Sequence, residues 1–553
     1  MKVVTAKQMR EFEAATDRSG LSYAQMMENA GRLAAQAIRE RRRPEQGPVL
    51  VLVGPGNNGG DGLVCAHYLH ESGYNVMVYV SVRKVRDDDD LSRVQADGIP
   101  LVWASDDPGM GTLCCLLDKA DTIVDALLGT GLTRPVEGIL KEILRLVCEY
   151  TSQARIKDGP LSRLVNPVIR AKKPYVVAID LPSGLNSDTG AVDPVTPPAD
   201  LTVTFAFPKV GLFLPPGVAY VGELVVADIG IPVDLAADVD LEVATAEEAR
   251  TLLPARPRNA NKGTFGKALI VAGSANYTGA PYLAAAAATR VGAGLVTLAV
   301  PGAIYPVLAA SIHEATFLVL PDDVGALAPD AVKVLIEPMS RYQALLLGPG
   351  IGQEIGTAEL VWRLLGSERP DRKTRIGFLE SKMAIEIPAS LPMVIDADAL
   401  NILAQKKNWW KELRGSCLLT PHPGEMARLL RVETADVQAD RIGIARHAAA
   451  EWGQVVLLKG ACSVLASPEG HITILPFANP ALATAGTGDI LAGAIVGLLA
   501  QGLGLYEAAL LGAYLHGLAG EMARQDLGDA GVVAGDLLPR LPLAIKRLRG
   551  DAE

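Results

Sequence analysis

The sequence has few of the features that would place it outside the ordinary globular proteins. Its 553 residues include only 6 cysteines. None of them stands in a CxxC pair, so neither a disulfide framework nor a thiolate metal site is expected. No apolar signal segment follows Met1, and the formal net charge of -10 comes with no long basic stripe. We therefore expect a cytoplasmic protein that binds neither nucleic acid nor membrane.

Long hydrophobic runs are also scarce. The most apolar stretch extends from Ile490 to Gly517, but Gln501, Glu507 and several glycines interrupt it. A membrane-spanning helix needs about 20 consecutive apolar residues. The stretch therefore predicts a buried pair of helices rather than a membrane span.

What is present is a repeated alternation of strand and helix patterns. Hydrophobic residues make up 49% of the chain and charged residues 21%, and 553 residues are too many for one core. The alternation weakens between Ile231 and Asn261, where prolines are frequent. We therefore predict two three-layer α/β/α domains, residues 1–230 and 231–553, with mostly parallel sheets and a Rossmann-like first domain.

The predicted strands are short apolar runs that end at polar or glycine-rich loops. In the first domain they are Val49–Val53, Asn75–Val80, Thr122–Asp125, Tyr175–Asp180 and Leu201–Ala206. In the second domain they include Ala268–Ala272, Leu295–Ala299, Ala344–Leu347, Met393–Asp396, Cys417–Thr420 and Gln454–Lys459.

The glycine-rich loop Gly54–Gly62 directly follows the strand Val49–Val53. Strand, glycine turn and helix in this order form the usual phosphate-binding element of α/β folds. The loop reads GPGNNGGDG and is neither GxGxxG nor GxxxxGK[ST], so the two common nucleotide motifs do not describe it. Asn57, Asn58 and Asp61 could instead hold a cation or a polar ring.

Three further polar segments follow strands of the first domain: Asp125–Pro135, Asp180–Asn186 and Phe207–Gly211. Asn58, Asp125 and Ser183 would form an all-oxygen site suited to a hard, non-redox cation. Asp180 is placed to act as a general acid or base. The alternative is that the glycines and prolines are turn residues and the carboxylates are helix caps. Four such segments at successive strand ends make that alternative the weaker one.

These segments resemble the epimerase domain of the NAD(P)H-hydrate repair enzymes, the YjeF N-terminal type. The motifs that carry the resemblance lie within residues 1 to about 230 and are Met26–Gly31, Asn57–Gly62, Asp125, Gly129–Pro135 and Asp180–Gly184. The resemblance implies interconversion of the R and S hydrates of NADH and NADPH at nicotinamide C6. It implies potassium at Asn58, Asp125 and Ser183. It also implies catalysis by Asp180 and hydrate contacts from Asn57, Asn58, Gly59, Gly60, Asp61, Gly129, Thr130, Gly131, Leu132, Thr133, Arg134, Pro135 and Asp180. Extra residues between Pro135 and Tyr175, including Glu149–Arg163, depart from the pattern.

In the second domain, Gly486–Gly488 precede a long apolar helix in the motif GTGD. The amino end of that helix would neutralise a phosphoryl group in transfer. Asp489 lies in the first helical turn and can take a proton from a hydroxyl while the phosphoryl group moves. Gly493 and Gly497, four residues apart, would allow close packing beneath this site.

The second domain resembles the ribokinase-like fold and, within it, the ADP- or ATP-dependent NAD(P)H-hydrate dehydratases. The GTGD motif is joined, in order, by Asn261–Gly266, Leu347–Gly352, Asp396–Leu400, Thr420–Glu425 and Leu458–Ala461. The resemblance implies phosphorylation of the C6 hydroxyl of the S hydrate and loss of phosphate, with ADP or ATP and magnesium. It implies nucleotide contacts from Lys459, Gly460, Ala461, Cys462, Ser463 and Gly488, and hydrate contacts from Ala268, Gly350 or Gly352, His422 and Asp489, with Asp489 catalytic.

Two other functions stay open at the level of sequence. The second domain could be a small-molecule kinase of the hydroxymethylpyrimidine or thiazole type, since this fold serves many acceptors. The first domain could be a non-catalytic binding or oligomerisation module. His422, flanked by two prolines, could be a rigid-turn residue rather than a substrate contact, and the stretch Trp362–Lys382 is long for the family. We expect a homo-oligomer.

Overall fold

The computed structural model describes residues 1–83, 89–132, 134–152, 173–366 and 391–550. The chain divides between Val239 and Asp240 into two compact units. The sequence prediction put this division at residues 230 and 231. Residues 231–239 stay with the first unit, where the Lys2 Nζ donates a hydrogen bond to the Val239 carbonyl oxygen (2.7 Å).

The first unit is a parallel sheet with helices along the chain between its strands, as the apolar runs predict. In the order β3-β2-β1-β4-β5-β6-β7, its seven described strands are all parallel. The strands are β1 (Val49–Val53), β2 (Val76–Val80), β3 (Leu101–Trp103), β4 (Thr122–Ala126), β5 (Tyr175–Ile179), β6 (Leu201–Phe205) and β7 (Glu223–Ala227). The helices are α1 (Ala6–Arg18), α2 (Tyr23–Arg39), α3 (Asn57–Glu71), α4 (Asp89–Ala96), α5 (Gly111–Lys119) and α6 (Gly138–Ser152).

The chain order reverses between β1 and β4, which lie side by side with Leu52 opposite Asp125. All residues of both strands are buried, as expected at the centre of a parallel sheet; β1 is apolar throughout, whereas β4 includes Thr122 and Asp125. In open parallel sheets, ligands bind where the strand order reverses, outside the carboxyl ends of the strands. The loops after β1 and β4 meet at that point.

The second unit is built on a ten-stranded sheet among the described residues, in the order β11-β10-β9-β14-β15-β16-β17-β18-β19-β8. Its strands, with those of a small hairpin (β12, β13), are β8 (Leu241–Val243), β9 (Lys267–Val271), β10 (Leu295–Pro301), β11 (Thr316–Leu320), β12 (Asp322–Asp323), β13 (Ala326–Leu327), β14 (Ala344–Leu347), β15 (Met393–Ile395), β16 (Cys417–Leu419), β17 (Val455–Leu458), β18 (Val464–Ala466) and β19 (Ile472–Ile474). The strands from β11 to β17 are parallel, and β18 is antiparallel to both of its neighbours.

The helices of the second unit pack on this sheet and on one another. They are α7 (Ala246–Thr251), α8 (Gly279–Arg290), α9 (Tyr305–Ser311), α10 (Ala331–Met339), α11 (Ile355–Leu365), α12 (Asp398–Ala404), α13 (Pro423–Leu430), α14 (Thr434–Ala439), α15 (Arg441–Trp452), α16 (Thr487–Ala500), α17 (Leu505–Leu527) and α18 (Arg540–Arg549). The predicted pair of buried helices is confirmed as α16 and α17. Among the described helices, none is long and apolar enough to cross a membrane.

Glycines bring α16 against α8, as their spacing predicts. A Cβ on Gly493 would lie 2.2 Å from the carbonyl oxygen of Ala284, and one on Gly497 would lie 2.7 Å from Val291 Cγ2. Both separations are shorter than van der Waals contact, so only glycine fits at these two positions. The position of the α16 amino end therefore depends on this close packing.

Candidate active sites

The loop after β1 forms the first turn of α3, which begins at Asn57. Its glycines allow the turn to pack directly on the end of β4. A Cβ on Gly54 would lie 1.8 Å from the Leu127 carbonyl oxygen, and one on Gly62 would lie 2.4 Å from the Ala126 Cβ. The predicted strand-turn-helix element is thus present. Its glycines let the backbone of the turn contact the end of β4 directly.

Asn58 is buried beside Gly129, where a Cβ would lie 3.4 Å from the Asn58 Cγ. Neither polar atom of the Asn58 side chain has a hydrogen-bond partner among the described residues. A buried amide without partners is rare in folded proteins and points to a ligand or ion that satisfies it. Asn58 is therefore available as a ligand, as the sequence predicts.

Asp125 and Ser183 lie together at the same edge of the sheet. The Asp125 Oδ1 accepts a hydrogen bond from the Ser183 hydroxyl (2.6 Å), and its Oδ2 accepts one from the Ser183 backbone N–H (2.8 Å). Burial raises the pKa of Asp125. Asp125 is not a helix cap. It is a residue of β4, and its side chain accepts hydrogen bonds from Ser183 in the loop after β5.

The predicted cation site has the donor chemistry of a hard, non-redox cation. It combines the unpartnered Asn58 amide oxygen with oxygens of Asp125 and Ser183, and oxygen donors suit such ions. No group of three or more His, Cys, Asp or Glu residues that could hold a metal occurs in the described ranges. Potassium at this site stays a prediction.

Asp180 directly follows β5 and has a φ of +64°. This left-handed conformation is uncommon for a residue other than glycine and often marks a functional position. Its Oδ1 accepts hydrogen bonds from the Lys209 Nζ (2.6 Å) and the Thr204 hydroxyl (3.0 Å). Asp180 therefore caps no helix; it is one half of a buried ion pair.

A cleft of about 660 Å³ is lined by Asn58, Asp180 and Lys209. It is lined by most of the predicted contact residues, which are Asn57, Asn58, Asp61, Gly129, Thr130, Gly131, Leu132, Arg134, Pro135 and Asp180. Gly59 and Gly60 are buried in the first turn of α3 and do not line it. Thr133 lies outside the described residues, as do most of the predicted extra segments, at 153–172 and 367–390.

Three other carboxyl groups line this cleft, from Glu13 on α1, Asp61 on α3 and Glu137. Burial, and then the nearby Asp180 and Glu13 carboxylates, raise the pKa of Asp61 well above its usual range. Burial also raises the pKa of Glu13, which Lys209 partly opposes. The cleft therefore holds a carboxyl group that favours its protonated form together with one paired to an ammonium.

The second site lies at the amino end of α16. Gly486 precedes the helix with a φ of +90°, and Asp489 stands in the first turn. Burial, and then the Asp396 carboxylate, raise the pKa of Asp489 to about 7. A carboxyl group with this pKa beside a helix amino end can act as a base near neutral pH.

Lys459 brings its ammonium to the same place. Its Nζ lies 2.6 Å from the Asp396 Oδ1, which also accepts a hydrogen bond from Thr420 (2.8 Å). A Cβ on Gly488 would lie 3.7 Å from the Lys459 Nζ. The structure therefore brings Lys459 close to Gly488 and Asp489, although it is far from them in the sequence.

The residues after Lys459 form a closed turn. The Gly460 N–H donates to the Ser463 hydroxyl (3.2 Å), which donates in turn to the Gly460 carbonyl oxygen (3.0 Å). Cys462 within this turn is buried, and burial raises the pKa of its thiol to about 12. Cys462 and Ala461 thus contribute backbone and shape to this turn. All six cysteines of the chain are free thiols.

His422 caps α13, where its Nδ1 accepts hydrogen bonds from the N–H groups of Gly424 (3.0 Å) and Glu425 (3.4 Å). Burial of the ring and then the Lys459 charge lower the pKa of His422. The Glu425 carboxylate accepts from the His422 N–H (2.8 Å), and burial raises its pKa to about 7. His422 therefore stabilises the turn at the start of α13, and its contact with a substrate stays a prediction.

The remaining predicted hydrate contacts differ in placement. Gly350 and Gly352 both lie in the loop after β14 with positive φ, and the Gly352 N–H donates to Asp398 (3.0 Å). Ala268 is the second residue of β9 and is fully buried in the core. Because β9 ends at Val271, Ala268 lies toward its amino end, and the structure does not bring it to the edge that holds the other residues.

Sequence reasoning did not single out Lys209, Thr204, Asp396 or Glu425 as site residues. Lys209 and Asp396 lie inside segments that the sequence marked, but their pairing depends on contacts across 29 and 63 residues. The sequence offered one signal for this pairing. Lys209 lies between Pro208 and Gly211 in the loop that follows a predicted strand. A buried charged residue needs a partner, but the sequence alone does not say which carboxylate supplies it.

Two α/β units with separate polar sites at the ends of their own sheets define a bifunctional enzyme. One family model, described as NAD(P)H-hydrate dehydratase, matches residues 268–542, and another, described as YjeF-related protein N-terminus, matches residues 23–211. The chain belongs to the family of bifunctional NAD(P)H-hydrate repair enzymes. This confirms the resemblances, the Rossmann-like first domain and the ribokinase-like second domain.

Several relatives match over nearly the whole chain. The bifunctional NAD(P)H-hydrate repair enzyme of Moorella thermoacetica is 38% identical over 100% of this chain and 98% of its own length. That of Salinibacter ruber is 37% identical over 98% of this chain and 95% of its own length. A solved ADP/ATP-dependent NAD(P)H-hydrate dehydratase of Bacillus subtilis, co-crystallised with ATP and Mg²⁺, is 29% identical over 56% of this chain and 98% of its own, with a TM-score of 0.46.

Proposed function

We propose that the first unit interconverts the R and S hydrates of NADH and NADPH and that the second unit dehydrates the S hydrate, using ADP or ATP. The observation that carries this proposal is the presence of two separate carboxylate sites, around Asp180 and Asp489, in a chain of this family. The kinase and binding-module alternatives account for one half of the chain each, whereas the relatives match over both halves.

In the first unit, the chemistry needs one proton donor and one acceptor. The C6 hydroxyl takes a proton and leaves as water while the ring nitrogen forms a C=N⁺ bond; water then returns to either face of C6 and loses a proton. Asp61, whose pKa is raised well above its usual range, supplies the first proton. Asp180, paired with Lys209, accepts the second, and exchange with water resets both groups.

Potassium completes the first site in this proposal, held by Asn58, Asp125 and Ser183. The unpartnered Asn58 amide supports it, since a buried amide must find a partner. When bound, the ion supplies a fixed positive charge near the amino end of α3, where the dinucleotide phosphates would lie.

In the second unit, Asp489 takes the proton from the C6 hydroxyl while that oxygen attacks a phosphoryl group at the amino end of α16. The backbone N–H groups of Gly486–Gly488 stabilise the charge that develops on the transferred group. The Lys459 ammonium, fixed by Asp396, contributes a further positive charge at this point. The C6–O bond then breaks, phosphate leaves with the bonding electrons, and the ring nitrogen forms a C=N⁺ bond to C6. Loss of a proton from C5 to water forms the C5=C6 double bond and restores NADH or NADPH.

Nucleotide and magnesium follow from this chemistry. Phosphate is a better leaving group than hydroxide, which explains why a dehydration would consume a nucleotide. We propose that residues 459–463 and Gly488 bind ADP or ATP and that magnesium bridges the nucleotide phosphates when bound. Gly350 or Gly352, His422 and Asp489 would contact the hydrate. A cytoplasmic homo-oligomer completes the proposal, and sedimentation of the purified chain tests the oligomer.

The experiment is a repair assay on a mixture of R and S NADPH hydrates. Purified protein with potassium, magnesium and ADP or ATP should convert both epimers and restore the absorbance of the reduced nicotinamide. A mixture that remains unchanged with either nucleotide would overturn the proposal. A stable phosphorylated product from a vitamin precursor would support the kinase alternative instead.

A further inference from the structure

Lys209 is a buried cation at the wall of the first cleft, with a side chain 1% exposed. Its Nζ lies 2.6 Å from the Asp180 Oδ1, 3.1 Å from the Thr204 hydroxyl and 3.2 Å from the Phe205 carbonyl oxygen. An ammonium has three hydrogens to donate, and here each has an acceptor within the fold. Lys209 therefore keeps no hydrogen for a substrate, and its role must be exerted through Asp180.

Thr204 and Lys209 act on the same oxygen of Asp180. The Thr204 hydroxyl accepts from Lys209 and donates to the Asp180 Oδ1 (3.0 Å), which closes a triangle of hydrogen bonds. In the described part of the chain, no hydrogen bond reaches the Asp180 Oδ2. The carboxylate is thus held by one oxygen and keeps the other for a ligand in the cleft that Asp180 lines.

The backbone around this triangle is fixed from separate parts of the chain. Asp180 holds its left-handed conformation while its N–H donates to the Val203 carbonyl oxygen (2.8 Å). The residues on either side of Lys209 bond to Val4, with Val4 N to Pro208 O at 3.0 Å and Val210 N to Val4 O at 3.2 Å. A strained residue persists only where its surroundings fix it in this way.

We propose that Lys209, together with Thr204, is the positioning residue of epimerisation: it pairs with the Asp180 carboxylate and fixes its Oδ1, so that Oδ2 takes the proton from the returning water. This inference rests on the proposed function of the first unit. Atoms and charge balance within the step, since water adds its oxygen to C6 and its proton goes to Oδ2. No electron transfer is involved.

Two variants of Thr204 test the geometry of the hydrogen-bond triangle with little change in side-chain volume. Thr204→Val removes the hydroxyl, and Thr204→Ser keeps it. We expect Thr204→Val to lower the kcat of R/S exchange by about 10-fold, with KM within about twofold, because a small misorientation of a catalytic group reduces the rate while binding is kept. Thr204→Ser should stay close to wild type. Equal rates for the two variants would overturn the role of Thr204.

The Lys209 variants test the charge. Lys209→Met should lower kcat by roughly 100-fold, with KM within about twofold. The reason is that the Asp180 Oδ1 would lose its 2.6 Å partner and keep only the Thr204 hydroxyl. Lys209→Arg keeps a cationic donor, so its kcat should stay closer to wild type. A Lys209→Met enzyme with wild-type kcat would refute the proposal.

Dehydration of the purified S hydrate by the same samples serves as the internal control, because it depends on residues of the second unit. It should be unchanged in all four variants. If Lys209→Met yields no folded protein, the Thr204 pair decides the question. Wild-type protein without any R/S exchange would overturn the proposed function itself, which distinguishes that failure from a failure of the positioning role.

Discussion

Asp489→Asn should stop dehydration and, at the same time, stabilise the second unit above acidic pH. In the wild-type chain, burial and the Asp396 carboxylate raise the pKa of Asp489 to about 7. A base with this pKa is about one tenth ionised at pH 6 and about nine tenths ionised at pH 8, so the rate of dehydration should rise with pH over this interval. Asparagine cannot take the proton, and kcat should fall by about 10²- to 10⁴-fold.

The same raised pKa makes ionised Asp489 destabilising in the folded state. The unfolded chain releases this proton near 3.8 and the folded chain only at about 7, so the free energy of unfolding of the wild type falls as pH rises between these values. A difference of about three units corresponds to about 4 kcal/mol. Because the side chain is partly exposed, solvent screening should reduce this to about 2 kcal/mol. Asparagine does not titrate, so its advantage over wild type should grow by that amount from about pH 4 to about pH 8.

The assay combines dehydration rates with urea unfolding of both proteins across this range of pH. Glu425→Gln is the matched control, because Glu425 also has a pKa raised to about 7 by burial. If Asp489 is the base, the rise in rate near neutral pH persists in the Glu425 variant. A dehydration rate that does not change with pH, or an asparagine variant whose unfolding free energy parallels that of wild type at every pH, would refute the reasoning.

Three further predictions concern other parts of the chain. Asp180→Asn should lower R/S exchange by about 10²-fold or more and leave dehydration intact, so that the R hydrate persists when its concentration is followed by chromatography; loss of both activities would contradict two independent sites. Asn58→Ala should weaken activation by potassium in a titration of epimerisation against the salt, and an unchanged titration would exclude Asn58 as a ligand. Gly493→Ala should destabilise the second unit by about 1–3 kcal/mol in urea unfolding, because its Cβ would lie 2.2 Å from the Ala284 carbonyl oxygen. The control Gly535→Ala, where a Cβ meets no atom within 4 Å, should be near neutral.

The central strands could be predicted from the sequence, whereas strands at the sheet margins could not. Val49–Val53 and Ala344–Leu347 match the observed β1 and β14 residue for residue, because strands covered on both faces read as uninterrupted apolar runs. Leu101–Trp103 and Glu223–Ala227, at the two edges of the first sheet, were not predicted. β3 has only three residues, all partly exposed, and β7 begins at an exposed glutamate and is mostly partly exposed, so their apolar residues give a weaker signal than those of the buried central strands.

The candidate sites could be predicted where chemistry is local in sequence. The GTGD motif places Asp489 in the first turn of α16, as expected, since helix, glycines and carboxylate are adjacent in the chain. The partner charges could not be predicted, because Lys209 and Lys459 reach Asp180 and Asp396 only through the order of strands in each sheet. Ala268 is the opposite case. The family resemblance implied a contact with the hydrate, but the residue lies buried within β9.

The contact of the first glycine turn with the Leu127 carbonyl limits how this enzyme can be redesigned. A side chain at Gly54 would meet the Leu127 carbonyl oxygen directly after β4, and one at Gly62 would push α3 away from Ala126 in β4. We therefore expect an altered preference for one dinucleotide over another to come from the loop after β4, where Gly131 and Arg134 are exposed. A substitution library restricted to Thr130, Gly131 and Arg134 would vary ligand contacts while the backbone that holds the chemistry stays in place.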